Sequence, residues 1–192
     1  MSDHARLLSL LAERSARRGQ FTLASGRTSS LYIDARLTTM SPEGLALIGP
    51  LGLAALRDAG WTPDAVGGLT LGADPISYAI AYASALAAER ERGALVRAFT
   101  VRKEAKQHGT GKLVEGPFRA GDRVVVIEDV ITTGGSALRA AEAIQWAGGV
   151  ILGVLALVDR EEGGREALEG AGFQVRSLAR ASEVVALLPA GG

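Results

Sequence analysis

The stretch Val124 to Ser136, VVVIEDVITTGGS, decides how the rest of the chain is read. Val124 to Ile127 form a β-branched run that is too short for a helix and apolar enough for a strand buried on both faces. Glu128 and Asp129 mark where that strand surfaces, and Val130 and Ile131 lead on to Thr132, Thr133, Gly134, Gly135 and Ser136. The two glycines let the backbone come close to a ligand, with free amides and hydroxyls aimed at one point. Ser136 is placed to cap the following helix, ALRAAEAIQWAG, whose positive end would face an anion. Carboxylates beside such a cradle suit a phosphorylated sugar, with hydroxyls on the acids and phosphate on the amides. An acidic pair before two glycines also occurs in ordinary turns, so the whole string carries the reading. Neither Gly-x-Gly-x-x-Gly nor a GK[ST] ending is present, which removes support for dinucleotide and P-loop nucleotide sites.

Upstream lies a second signal. Eighteen of the 21 cationic residues are arginine, and the three lysines, Lys103, Lys106 and Lys112, all fall within one ten-residue window. His108, one of two histidines, is in the same segment, RKEAKQHGTGK, which begins at Arg102 and includes Gly109 and Gly111. A chain that otherwise prefers arginine uses compact, mobile ammonium groups only here. The segment reads as a mobile loop. Alone, a basic run is more often a solvated surface; beside a phosphate cradle it suits cations that close over a departing anion and exclude water.

The elements on either side alternate helix and strand. An amphipathic helix is predicted over about residues 4 to 18, then a turn at Ser25-Gly26 and a strand centred on Leu31 to Ile33. Ser41 caps and Pro42 opens a helix that Pro50 should kink and Gly60 should stop. Strands are predicted at Ala65 to Leu69, Leu95 to Val101, Arg123 to Ile127 and Ile151 to Val158, with helices at ISYAIAYASALAAERER and before Gly148-Gly149. The tail adds a helix in GGREALEGAG, a strand in FQVRSL and a helix in ASEVVALL. The pattern implies an α/β fold with a largely parallel sheet flanked by helices. In such sheets ligands gather at the carboxyl ends of the strands. Four loops should converge there: 71–75, 102–112, 128–136 and 159–164. The last carries Arg160, a bidentate partner for a planar carboxylate or, equally by residue type, a salt-bridge partner of Glu161 or Glu162.

Composition is consistent with this. The chain has 192 residues, 47% of them hydrophobic, enough for one domain with a real core and too few for two comfortable ones. Acids and bases balance at 21 each, which gives no bulk electrostatic grip on nucleic acid or an anionic membrane. With no cysteine, thiolate chemistry and disulfides are excluded, and a reducing cytoplasm is compatible. No signal-peptide core and no apolar span of about twenty residues occurs.

Over all thirteen positions, VVVIEDVITTGGS resembles the 5-phosphoribosyl 1-pyrophosphate (PRPP) motif of type I phosphoribosyltransferases. Together with FTLASGRTSSLYIDAR, FTVRKEAKQHGTG and LVDREEGG, it is similar to the orotate phosphoribosyltransferases over about residues 20 to 164. The RKEAKQHG loop discriminates, because purine enzymes share the PRPP motif but not that loop. The resemblance implies a single phosphoribosyltransferase domain over residues 1–192, with about 1–40 forming a hood, and transfer of phosphoribose from PRPP to orotate. It further implies magnesium bound through substrate oxygens, and a homodimer whose loops cross between subunits. Thr132 to Ser136 would hold the 5'-phosphate and Glu128 and Asp129 the ribose hydroxyls, with Val130 and Ile131 also in the PRPP site. Arg102, Lys103, Lys106 and His108 would neutralise the leaving pyrophosphate, with Lys106 the critical cation. Arg160 would pair with the orotate carboxylate, near Thr132 and the backbone of Tyr32 and Ile33.

Two positions depart from the pattern. Ala24 and Gly72 stand where some family members carry lysine, so amides of Gly72 and Ala73, or the loop lysines, must take up the pyrophosphate contacts. Asp74 either orients that turn or approaches magnesium, the turn being the simpler role. The alternatives are a phosphoribosyltransferase for a purine or uracil, and a PRPP-sensing regulator, for which the sequence offers no added nucleic-acid module or basic face.

Overall fold

The computed structural model describes residues 1–22, 28–91, 94–104 and 112–189. Helix α1 (Asp3–Leu10) is capped by the Ser2 hydroxyl and followed by one π-helical turn over Leu11–Ser15. The helix expected to reach residue 18 therefore ends early, and Ala16–Thr22 is strand β1. It pairs antiparallel with β2 (Thr28–Ile33), Ala16 opposite Ile33 and Arg17 opposite Tyr32. Burial explains the break: Leu7 and Leu11 are fully buried, while Arg17, Arg18 and Gly19 are exposed and have no apolar face with which to extend the helix.

After the short α2 (Arg36–Thr39), helix α3 (Pro42–Asp58) starts where the sequence places it, with the Ser41 hydroxyl accepting from the Gly44 amide. It runs through Pro50 as one assigned helix, and Gly60 follows its end with φ +70°. Strand β3 (Ala65–Leu69) is buried throughout. Helix α4 (Ala73–Glu91) begins three residues before the predicted start, with Pro75 in its first turn, where an N–H would have no intrahelical acceptor. Glycines set its contact with α3: a side chain at Gly49 would stand 2.5 Å from the Ala79 carbonyl, and one at Gly52 2.7 Å from Ile80.

Strands β4 (Arg97–Val101), β5 (Val114–Glu115), β6 (Arg123–Ile131), β7 (Val150–Asp159) and β8 (Val175–Arg180) complete the sheet, with α5 (Gly135–Trp146) between β6 and β7, α6 (Gly164–Gly170) before β8 and α7 (Ala181–Ala186) after it. The strand order is β5-β4-β3-β6-β7-β8, parallel except for β5 against β4. Alternate residues of one strand feed two cores: Val125 and Ile127 pack with α1, α3 and α4, while Val124 and Val126 pack with α5 and α6. Removing one such fully buried aliphatic side chain costs roughly 2–5 kcal/mol.

Among the described residues no helix is long and apolar enough to cross a membrane. One feature of the order positions the site. From β3 the chain passes through α4 to β4 on one side, and from β6 through α5 to β7 on the other, so the winding reverses between β3 and β6. The carboxyl ends of that pair are where an open α/β sheet leaves a crevice.

Candidate active site

A cleft of about 620 Å³ opens at that reversal. Its walls bring together Leu69 to Gly72 after β3, Lys103 after β4, Glu128 to Val130 with Thr132 on β6 and its exit, Ser136 on α5, Arg160 after β7, and Tyr32 to Arg36 from the hairpin β1–β2. The four loops predicted to converge each contribute to it, and the hairpin adds a fifth segment.

Strand β6 is longer than its apolar run. The ladder with β7 continues past the acids, with Val130 opposite Val158 and Ile131 opposite Asp159, so Glu128 and Asp129 are strand residues rather than the start of a turn. Consecutive residues then point to different environments. Glu128 is 8% exposed, and its Oε2 is buried with no hydrogen-bond partner among the described residues. Burial, and next the charge of Asp129, push the Glu128 carboxyl up to about 9. Asp129 is half-buried, and its Oδ1 accepts from the Val130 amide at 2.8 Å, which fixes the carboxylate in the cleft. Across from it lies Gly72: a β-carbon there would sit 2.5 Å from Asp129 Cγ. A side chain at position 72 would require the Asp129 carboxylate to shift, so glycine at this second departure lets that carboxylate keep its place.

Below the acids, Glu128, Val130, Ile131 and Thr132 to Ser136 line a small cavity of about 90 Å³ that shares four walls with the cleft. Its floor is made by glycines. Gly134 adopts φ +80° as the N-cap of α5, and Gly164 lies so close that an added β-carbon would be 2.6 Å from the Thr132 carbonyl oxygen. Ser136, predicted as the cap, is instead the second residue of the helix, because the left-handed turn at Gly134 lets the helix begin two residues earlier. The first intrahelical bond runs from the Leu138 amide to the Gly134 carbonyl, so the amides of Gly135, Ser136 and Ala137 have no acceptor within the helix. Together with the Thr132, Thr133 and Ser136 hydroxyls they form an anion cradle.

Arg160 forms the predicted salt bridge, with Glu162 as its partner, from a position in the cleft wall. It is 7% exposed, lines the cleft and pairs with Glu162, whose Oε1 accepts from Nε at 3.0 Å and from Nη2 at 2.6 Å. Nη2 also reaches Ser29 Oγ and the Leu31 carbonyl, both at 3.0 Å, and so ties the end of β7 to the hairpin. Tyr32 and Ile33 stand beside it, with the Tyr32 ring 5.3 Å from that of Phe21.

The basic segment divides. Lys103 lines the cleft. Arg102 is not part of the lining: its Nη1 lies 3.3 Å from Glu115 in the β4–β5 pair. Lys112 lies on a different cavity, with Phe118 and Trp146. Lys106, His108 and Ala24 lie outside the described residues. The sequence reading missed Asp34 and Arg36, whose side chains pair at 2.8 and 2.9 Å in the cleft wall; the Arg36 guanidinium holds the Asp34 carboxyl below the usual carboxylate range. Their signal is the acid-x-base spacing at the end of a strand, which only the hairpin's position relates to the site. Asp74 accepts from Thr70 and Thr100 and is absent from the lining, which favours the turn-orienting role. Among the described residues no cluster of three or more metal-ligating side chains occurs, so a divalent ion here would need oxygens from a ligand as well.

No family model matches the chain. It is 47% identical over 186 residues to an orotate phosphoribosyltransferase of Rhodopseudomonas palustris, covering 95% of this chain and 96% of the relative. Among solved structures it is similar to Mycobacterium tuberculosis H37Rv orotate phosphoribosyltransferase in complex with Fe(III) dicitrate, with a TM-score of 0.81 and 42% identity over 95% of this chain and 99% of that one. The same enzyme in complex with PRPP matches with a TM-score of 0.77 and 39% identity, covering 96% of this chain and 99% of that one.

Proposed function

The chain belongs to the orotate phosphoribosyltransferase family, and from that premise we propose that it transfers the 5-phosphoribosyl group of PRPP to orotate, giving orotidine 5'-monophosphate and pyrophosphate in pyrimidine nucleotide synthesis. One observation carries the reading: an acidic pair and an anion cradle from the β6–α5 segment and a buried arginine from the end of β7 meet around one cleft at the sheet's reversal. The cradle at Thr132 to Ser136 has the size and the donors for the 5'-phosphate, and Glu128 and Asp129 face the ribose hydroxyls.

The reaction breaks the bond from the anomeric carbon to pyrophosphate, which leaves with the electron pair, and joins that carbon to a ring nitrogen of orotate, whose proton is released. As the bond lengthens the sugar becomes electron-poor, and the Asp129 carboxylate stabilises that charge. Lys103 at the cleft wall, Lys106 and His108 further along the segment, and Arg102 at its base neutralise the leaving group. Arg160, held rigid by Glu162 and the hairpin, addresses the orotate carboxylate, with Thr132, Tyr32 and Ile33 around the pyrimidine. The partnerless Glu128 Oε2 beside Asp129 fits hydroxyl donors or a cation. These two carboxylates would hold magnesium, which when bound neutralises charge on the pyrophosphate and ribose oxygens.

We further propose that the enzyme is a cytoplasmic homodimer, residues 1–40 acting as the hood over the site. The supporting surface is an apolar groove of about 760 Å³ between α3 and α4, where Leu45, Tyr78, Tyr82 and Leu86 are exposed and only Arg57 and Arg90 are charged. Mixing Lys106→Ala and Asp129→Asn subunits tests loop exchange. If loops cross, heterodimers regain one intact site and activity returns; if each loop serves its own site, the mixture stays as inactive as its parts.

The direct test of function is to incubate the protein with PRPP, magnesium and a panel of bases. Orotate should be consumed in a PRPP-dependent manner, measured by its absorbance, with uracil, adenine and guanine untouched. Turnover of a purine or uracil instead would replace the assigned acceptor.

A further inference from the structure

We propose that Asp74 is a positioning residue for the departing pyrophosphate, tying the turn after β3 to the end of β4 so that the two sides of the leaving-group grip keep one register; this role rests on the cleft being the PRPP site. Asp74 lies in the first turn of α4, with its two carboxylate oxygens engaged by different segments. Thr70 Oγ1 donates to Oδ2 at 2.6 Å, and Thr100 Oγ1 donates to Oδ1 at 2.8 Å. Thr70 opens the turn that leads through Leu71 to Gly72, while Thr100 sits two residues before Arg102 and three before Lys103. A backbone bond reinforces the join, from the Thr70 amide to the Val101 carbonyl at 2.9 Å. An acid that merely complemented the helix dipole would need no such pair of partners.

The protons are ordered. A carboxylate only accepts, and a threonine hydroxyl has one proton to give, so with Thr100 donating to Asp74 the Tyr78 hydroxyl, 3.0 Å from Thr100 Oγ1, must donate inward. The chain of bonds thus runs from Tyr78 on the exposed α3–α4 groove, through Thr100 and Asp74, to the turn at the cleft.

Gly72 makes this framework consequential. A β-carbon at position 72 would stand 2.5 Å from Asp129 Cγ; with glycine there, the donors this wall offers the leaving group are backbone amides at the start of α4. A lysine can swing to follow its anion; an amide is only as well placed as the turn that carries it. Displacements of about 1 Å in such groups cost on the order of a hundredfold in rate. Asp74 is not part of the cleft lining, and both its oxygens are taken by threonines, so its part is to hold the turn.

The test compares KM values in both directions of the reaction with thermal stability. Asp74→Ala should raise KM for PRPP, and for pyrophosphate in the reverse reaction, by about ten- to a hundredfold. The orotate KM should stay at its wild-type value and the melting temperature should fall only slightly. Asp74→Asn, which keeps one acceptor and offers its amide to the other hydroxyl, should recover most of the loss. Thr70→Val should reproduce the PRPP and pyrophosphate defect, and adding it to Asp74→Ala should make little further difference because one link is already cut. If Asp74→Ala does not fold, Thr70→Val alone carries the same expectation. Wild-type KM values for PRPP and pyrophosphate in the variant, or an equal rise for orotate, would overturn the positioning role while leaving the enzyme's function intact. A wild-type protein inactive with PRPP and orotate would overturn the assignment of the cleft and this role with it.

Discussion

The loops after β6 and after β3 face each other across the reversal of the sheet and are built on opposite principles. After β6 the backbone itself holds the shape: Gly134 turns through φ +80°, Gly164 leaves no room for a β-carbon beside the Thr132 carbonyl, and the amides of Gly135 to Ala137 are left without acceptors in the helix. After β3 the turn is pinned by side chains, Thr70 and Thr100 on Asp74, and Gly72 leaves room for Asp129. The cradle is part of the packed core, so its geometry and the protein's stability are one property. The leaving-group side is attached to that core by a few hydrogen bonds, so function there can be lost without unfolding.

The largest effect should show activity and stability falling together on the cradle side. Gly134→Val places a β-branched residue at positive φ with its β-carbon 2.9 Å from the Gly164 carbonyl oxygen. Activity should fall by more than about a hundredfold and the melting temperature should drop with it. A stable, active variant would show that the cradle is not set by that turn. On the opposite side, Lys106→Ala should lower turnover by at least about a hundredfold with no change in melting temperature. Near-normal turnover would remove Lys106 from the leaving-group assignment.

Arg160→Ala is intermediate, because Arg160 both faces the cleft and bridges β7 to the hairpin. The orotate KM should rise about tenfold or more, PRPP binding should be largely kept, and stability should fall modestly. Equal loss for both substrates would mark it as a structural arginine only.

The smallest effect is on pH-dependent stability. Glu128 holds its proton in the folded, ligand-free protein up to about 9, above the value it takes when unfolded, so its contribution is fully present at acid pH and is lost as pH rises towards 9. Glu128→Gln should therefore flatten the decline in melting temperature between neutral and alkaline pH, with a gain of a few degrees at the alkaline end, while weakening PRPP binding. Parallel melting curves for wild type and variant would show that Glu128 ionises freely in the fold.

The same contrast explains what could be read in the chain. The cradle was legible because buried strands, glycines and a helix start leave local marks in VVVIEDVITTGGS, and β3 and the Ser41-Pro42 start of α3 were readable for the same reason. Its details were not: whether Gly134 or Ser136 caps α5 depends on a backbone angle, and β6 extends to Ile131 only because β7 continues beside it. Strand β1 was missed because Arg17, Arg18 and Gly19 carry no alternating pattern; pairing with β2 makes them a strand. The Asp74 network and the Asp34–Arg36 pair join residues whose proximity arises from the sheet order or from the hairpin's placement over the cleft. The contact of Arg102 with Glu115 was equally hidden, because it arises from the antiparallel β4–β5 pairing.

The most direct test of the central claim is a crystal structure of the protein with orotate and a non-reactive PRPP analogue. The account predicts the 5'-phosphate on the amides of Gly135 to Ala137, the ribose hydroxyls on Glu128 and Asp129, the orotate carboxylate at Arg160, and the pyrophosphate between the Gly72 turn and the lysine segment. A sugar phosphate bound away from β6, or an orotate that leaves Arg160 uncontacted, would contradict it.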